Sequence, residues 1–239
     1  MGELRESKKR ETKQRLSDVA TELFYARGFE AVTVEEIAAA AHVSKVTVFN
    51  YFARKEDLFL DREHELLLFL REALGERPKG QAPVAALRRL VDRLCEQKHP
   101  FAHIDSQTAK WCRVVAASPS LQARLREIGD ETVEALAALL AGPTPDGPAR
   151  LVAGMLVLTW RTAYREALRV FERGGSAKKA NAAFIALIDR GFAAVAGLAA
   201  SSSVNPPDSR TPSGPGQAAG RPGRRQPPVR RAPREHGAP

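Results

Sequence analysis

The stretch Thr33-Val34-Glu35-Glu36-Ile37-Ala38-Ala39-Ala40-Ala41-His42-Val43-Ser44-Lys45-Val46-Thr47-Val48-Phe49-Asn50-Tyr51-Phe52 decides how the rest of the chain is read. It opens with a capping box: the Thr33 hydroxyl can accept from the backbone N–H three residues on, and the Glu36 carboxylate can reach back. A short helix follows, with Val34, Ile37, Ala38 and Ala41 on one face. The run Ala39-Ala40-Ala41 lets a neighbouring helix approach closely. His42-Val43 makes a turn, and Ser44 caps a second short helix that runs to Phe52. Two short helices joined by a tight turn, with small residues at the crossing, describe a helix-turn-helix.

Helical geometry then sorts the second helix. With Val48 and Phe52 pointing inward beside Val43, a period of 3.6 residues puts Val46 and Asn50 on the opposite side. Thr47 and Phe49 flank that face, and Lys45 projects from the first turn. These are side chains that suit a DNA groove: Lys for guanine acceptors, Asn for adenine, the Val46 side chain and the Thr47 methyl for thymine methyls. Tyr51 and Lys55 are placed for phosphate oxygens. An ordinary polar helix surface would have the same spacing.

Outward from this stretch, residues 8 to 200 read as helix after helix. Aromatics are only 6% of the 239 residues, and no Asn-Gly or Asp-Gly turn sits between alternating runs. Apolar residues recur at three and four: Leu16, Val19, Ala20, Leu23 and Phe24, a stripe ended by Gly28; then Leu87, Leu90, Val91, Leu94 and Cys95; then Ile185, Ile188, Phe192, Val195 and Ala199. Breakers at 75–78, His99-Pro100, Ser118-Pro119, 142–148 and Gly174-Gly175 divide the segments. Ser118 with Pro119 behind it, and Ser176, are expected N-caps. The fold expected is all-α, about nine helices: a three-helix head carrying the helix-turn-helix, a helical body and a disordered tail. The boundaries are 1–54 for arm and head, 55–200 for the ligand-binding and dimerisation body, and 201–239 for the tail.

Charge follows the same division. The formal net charge is +9, which favours polyanionic partners. From Ser201 onward, seven Arg stand against Asp208 and Glu235, so this Pro/Gly/Ser-rich segment carries +5 of that total. It holds too few apolar residues to offset the entropy of ordering, and reads either as a passive solubilising tail or as a basic arm attracted to phosphates. Met1 to Arg15 is charged and has no apolar core, so it is not read as a signal peptide. No run of about 18 apolar residues is found, so no membrane span is expected and the chain is placed in the cytoplasm. Cys95 and Cys112, the two cysteines, lie in apolar helical stretches and read as buried free thiols.

With Arg27-Gly28-Phe29 before it and Ala53-Arg54-Lys55-Glu56-Asp57-Leu58 after it, the opening stretch resembles the DNA-binding region of TetR-family repressors, over roughly residues 8 to 60. The resemblance implies a three-helix DNA-binding head, a fourth helix linking it to a variable helical body, and a homodimer on double-stranded operator DNA. It also implies that Lys45, Val46, Thr47, Phe49 and Asn50 face the major groove, while Thr33, Ser44, Tyr51 and Lys55 meet phosphates. Two positions depart from the family's pattern. His42 stands where Gly is usual, so the turn needs a positive φ, which His tolerates better than branched residues do. Asn50 stands where His or another residue is frequent, and should influence operator preference.

The body carries no Gly-x-Ser-x-Gly, no P-loop and no strand followed by GxGxxG, so no reaction and no cofactor are implied. His99, His103, Asp105 and Cys112 raise a metal site, but Pro100 interrupts their helical spacing, and polar loop residues are the preferred reading. Leu67, Leu94, Trp111, Val115, Ile128, Met155, Thr159, Trp160 and Tyr164 are candidate linings of an apolar effector pocket; each is equally readable as core. The segment Lys55 to Leu74 reads as one amphipathic helix joining head to body. Ala149–Arg173 and Ala177–Leu198 are apolar enough to form the homodimer interface, with intradomain packing as the alternative. Two other functions remain open: a helical enzyme or carrier with a vestigial head, and a nonspecific DNA-coating protein driven by the tail.

Overall fold

The computed structural model describes residues 2–200; the expectations for the tail, 201–239, lie outside them. The described residues form nine α-helices and one 3-10 turn, with no strand among them. In order these are α1 (Gly2–Arg27), α2 (Val34–Ala40), α3 (Lys45–Tyr51), the 3-10 turn Glu56–Leu58, α4 (Glu63–Gly75), α5 (Pro83–Glu96), α6 (Ser106–Ala117), α7 (Pro119–Ala141), α8 (Gly147–Glu172) and α9 (Ala177–Ala200).

Local sequence explains most of the boundaries. Gly28 ends α1 at φ 82, a left-handed conformation that costs glycine little. Ser118 caps α7, accepting from the Leu121 N–H with Pro119 in the first turn, and Ser176 accepts from the Lys179 N–H. Asp105 caps α6 in a reciprocal box with Thr108, and Asp146 caps α8.

Two apolar clusters hold the fold. One gathers Leu16, Ala20 and Phe24 of α1, Ile37, Ala38 and Ala41 at α2, Val48 and Phe52 at α3, and the consecutive residues Leu58, Phe59 and Leu60. It also takes in Val115 of α6 and Leu121 and Ile128 of α7. The other joins α4, α5, the second half of α7, α8 and α9. Thus the apolar interior of the head continues past residue 54 and is closed from outside by α6 and α7.

The single helix expected over Lys55 to Leu74 is a correction: it is a 3-10 turn followed by α4, which begins only at Glu63. Leu58, Phe59 and Leu60 are all buried. Consecutive helix residues point about 100° apart, so three in a row cannot all face one neighbour from a regular α-helix. The chain unwinds instead, and the Ser17 hydroxyl lies 2.6 Å from the Asp61 carboxylate and 3.1 Å from the Leu58 carbonyl oxygen.

Among the described residues one helix, α9, is long and apolar enough to be weighed as a membrane span. By length and composition its span Ala177–Ala199 is apolar enough to cross a bilayer, because many alanines raise its mean hydropathy around a few charges. Within the protein it lies along α8, burying Ala180, Phe184, Ile188, Phe192, Val195 and Ala199, and its Asp189 pairs with Arg88 of α5 at 2.7 Å. A single such helix, lying along α8 and tied to α5, is weak ground for a membrane span.

Candidate nucleic-acid interface

The pair α2–α3 is set by its caps and by the core beneath it. Thr33 and Glu36 form the capping box: the Glu36 N–H donates to the Thr33 hydroxyl (3.2 Å) and the Thr33 N–H to the Glu36 carboxylate (2.8 Å). The Thr33 hydroxyl at 3.0 Å and Arg27 at 2.7 Å add further donors to the Glu36 carboxylate. These bonds hold the Glu36 carboxyl down at about 2, with the Thr33 backbone N–H the largest cause. The turn passes through His42 at φ 54, the left-handed conformation expected there, with the Val43 N–H donating to Ala38. Ser44 then caps α3, accepting from the Thr47 N–H at 3.0 Å.

Val48 and Phe52 anchor α3 in the core, and the opposite face is open. Val46 is 68% exposed and Phe49 45%, uncommon values for large apolar side chains on so short a helix. Asn50 and Lys45 are exposed beside them, and Thr47 and Tyr51 are half-buried at the edges. Five predicted groove residues therefore share the surface of one helix. The four predicted phosphate residues are placed less uniformly. The Thr33 and Ser44 hydroxyls are engaged in caps. Tyr51 rests partly on the core.

Lys55 is held inward. Its ammonium donates to the Phe29 carbonyl at 2.6 Å and lies over the Phe29 ring, 4.2 Å from its centroid. Partial burial pulls its pKa below the usual lysine range. The ammonium has three donors, so a phosphate contact from Lys55 would be made beside that bond or in its place.

Two arrangements were not foreseen from the sequence. Glu35 of α2 forms an ion pair with Lys45 of α3, whose ammonium also sits 5.8 Å from the Phe49 ring centroid. The head is also bracketed to α6 and α7. Ser118 donates to Glu30 at 2.5 Å, Arg54 pairs with Glu127 at 2.5 Å, and the Trp111 indole N–H donates to the Phe59 carbonyl at 3.3 Å. The Trp111 and Phe59 rings are stacked, 5.7 Å apart. Apart from Lys45 and Phe49, four apart on α3, none of these pairs obeys a helix-spacing rule, so only the charge and polarity of each member could have flagged it.

The nine candidate effector residues fall into two groups. Trp111, Val115 and Ile128 belong to the cluster under the head. Leu94 is at the centre of the body cluster, and Leu67, Met155, Trp160 and Tyr164 pack against it. Thr159 sits against Gly191 of α9. Tyr164 donates to the Pro100 carbonyl at 3.0 Å, and burial pushes its hydroxyl above the usual tyrosine range.

The body also has an open cleft of about 460 Å³ between α5, the following loop and α9, lined by residues including Cys95, His103, Asn181 and Ile185. A second groove of about 550 Å³ runs along α8 and α9. Neither lining includes any of the nine. Burial pushes the Cys95 and Cys112 thiols up to about 11. Asp105, one of the metal candidates, is engaged in its cap, and among the described residues no group of three or more His, Cys, Asp or Glu is placed to hold a metal.

A short helix pinned by two buried residues, exposing its other face at the end of a tight turn, defines the helix-turn-helix class of DNA-binding proteins. Residues 16–61 match the family model described as bacterial regulatory proteins, tetR family. Over these residues the chain is similar to the DNA-binding region of TetR-family transcriptional regulators.

The HTH-type transcriptional regulator TcmR of Streptomyces glaucescens is 40% identical over 84 residues, 35% of this chain and 37% of that protein. The protein named MftR of Mycobacterium tuberculosis is 50% identical over 44 residues, 18% of this chain and 22% of that one. The matched stretch thus covers well under half of either relative. The crystal structure of NalD, the secondary repressor of the MexAB-OprM multidrug efflux pump in Pseudomonas aeruginosa, shares the fold. It has a TM-score of 0.50 at 19% identity, over 76% of this chain and 97% of NalD.

Proposed function

We propose that this chain is a ligand-responsive transcriptional repressor, not an enzyme. It binds a near-palindromic operator in the cytoplasm as a homodimer and is released by a small, apolar effector. The observation that carries the reading is the exposed face of α3: Val46 and Phe49 stand out beside Lys45 and Asn50 while Val48 and Phe52 hold the helix from behind. Lysine and asparagine can read base edges, and Val46 with the Thr47 methyl suits thymine.

The division into a head at 1–54 and a body at 55–200 is part of the proposal. So is dimerisation through α8 and α9. Leu151 and Leu158, 54% and 61% exposed, lie seven residues apart and therefore on one side of α8. Apolar exposure of this kind fits a four-helix interface with a second copy. An effector that repacks the body would shift the heads relative to half-sites one helical turn apart.

The test is a footprint of the intergenic region beside the gene, followed by titration of the protected duplex. Protection of a near-palindrome by a dimer supports the proposal, and Asn50→Ala should relax sequence choice at that site. Specific binding that survives Asn50→Ala and Val46→Ala unchanged would remove α3 from the groove. Leu158→Glu should give monomers by light scattering. Turnover of a substrate by the purified protein would overturn the non-enzymatic reading.

A further inference from the structure

We infer that Glu35 sets specificity: its carboxylate holds the Lys45 ammonium so that Lys45 reads base edges and is denied to phosphates. The inference rests on the proposed groove role of α3. Lys45 is the first residue of α3 and Glu35 lies in the first turn of α2, ten positions earlier; the two form an ion pair across the turn. Glu35 has no part in the cap of α2, which is made by Thr33 and Glu36. On its other side, the Lys45 ammonium faces the Phe49 ring one turn along α3. Carboxylate and ring together hold the charge over the exposed face.

Both partners of the pair are at least half exposed, and pairs of this kind contribute little to stability. Their consequence for a polyanion is larger. A lysine that neutralises a phosphate releases a condensed counterion, and each such contact steepens the salt dependence of binding. A carboxylate already on the ammonium cancels that gain, and its own charge is repelled by the incoming phosphate. A guanine edge is different, because O6 and N7 are neutral acceptors. An ammonium has three donors, so it can keep Glu35 and still donate to guanine. The pair therefore penalises the contact that every sequence offers and spares the one that a particular base pair offers.

The experiment uses the full-length protein and its Glu35→Gln variant, which keeps shape and removes charge. Two duplexes serve as probes: a 30-base-pair duplex of randomised sequence, and one that the wild-type protein selects from a random pool. Glu35→Gln is expected to bind the randomised duplex several-fold more tightly. Its log–log salt slope should steepen by about 0.9 per protomer, or about two for a dimer. The selected duplex should gain less, so the specificity ratio falls. Adding Lys45→Gln to Glu35→Gln should return the slope to the wild-type value. Unchanged slope and ratio in Glu35→Gln, or weaker binding to both duplexes, overturns the role of Glu35. If the wild-type protein selects no sequence from the pool, the groove reading itself falls and this inference falls with it.

Discussion

Arg124, on α7, donates from Nε to the Asp57 carboxylate at 3.0 Å, tying the body to the 3-10 turn that follows α3. The same guanidinium reaches Glu131 at 2.9 Å and Glu127 at 3.3 Å, and Glu127 in turn takes Arg54. The Arg124 side chain is only 12% exposed and that of Asp57 24%, so this pair is partly shielded from water. Whatever moves α7 must move this turn, break these bonds, or slide past them.

Replacing Arg124 by Met should therefore destabilise the chain by about 1–2 kcal/mol, because the carboxylates around it lose their common partner. For a domain of this size that corresponds to a fall of roughly 2–4 °C in Tm per kcal/mol. The Asp57→Asn variant should lose less, and the double variant should lose less than the sum of the singles. Strict additivity in thermal denaturation would show that the two residues do not work together.

Gly191 of α9 lies directly against Thr159 of α8. A Cβ at Gly191 would lie 2.2 Å from the Thr159 Cγ2 atom and 2.6 Å from its Oγ1. Gly191→Ala gains about 1 kcal/mol of helix propensity but must force the helices apart, at about 1–3 kcal/mol. The expected outcome is a net loss of Tm, partly restored by Thr159→Ala in the same chain. A Gly191→Ala protein more stable than wild type would mean that the contact is looser than described.

At the turn between α2 and α3, His42 holds φ 54. His42→Gly removes the clash of a Cβ in the left-handed region, and its larger unfolded entropy offsets only part of that. The net gain should be about 0.5–1 kcal/mol in chemical denaturation. His42→Val should lose stability, since a branched side chain suits this conformation worst.

Glu36 predicts a pH dependence. Its carboxyl is lowered from 4.5 to about 2 in the folded chain, first by the Thr33 backbone N–H and then by Arg27 and the Thr33 hydroxyl. A depressed carboxylate stabilises the fold fully above its unfolded value, and that contribution disappears as pH falls through the folded one. The Tm difference between wild type and Glu36→Gln should be constant above about pH 5 and shrink between 4.5 and about 2. A difference that persists at pH 2 would assign the effect to the hydrogen bonds alone.

Much of the fold and of the α3 surface was legible from residue order. The capping box at Thr33, the cap at Ser44, the left-handed turn at His42 and the stop at Gly28 rest on atoms within four or five residues of one another. The inward pair Val48 and Phe52, with the outward Val46 and Asn50, follows from the helical period. Less legible were contacts that depend on distant partners. Lys55 turns toward Phe29, Lys45 is met by Glu35, and Trp111 stacks on Phe59 where an effector lining had been expected. A periodic apolar stripe tells which side of a helix is buried but not which neighbour buries it. That is why Trp111, Val115 and Ile128 fell under the head and Met155, Trp160 and Tyr164 in the body.

The amino-acid order alone thus determined the helices, their caps and the two faces of α3, because those depend on hydrogen bonds and side-chain spacing within a turn or two. The tertiary structure alone decided which exposed charges remain free, where the chain unwinds between α3 and α4, and how α7 grips the head. Those outcomes are settled by packing between residues as far apart as Asp57 and Arg124, where no local preference acts.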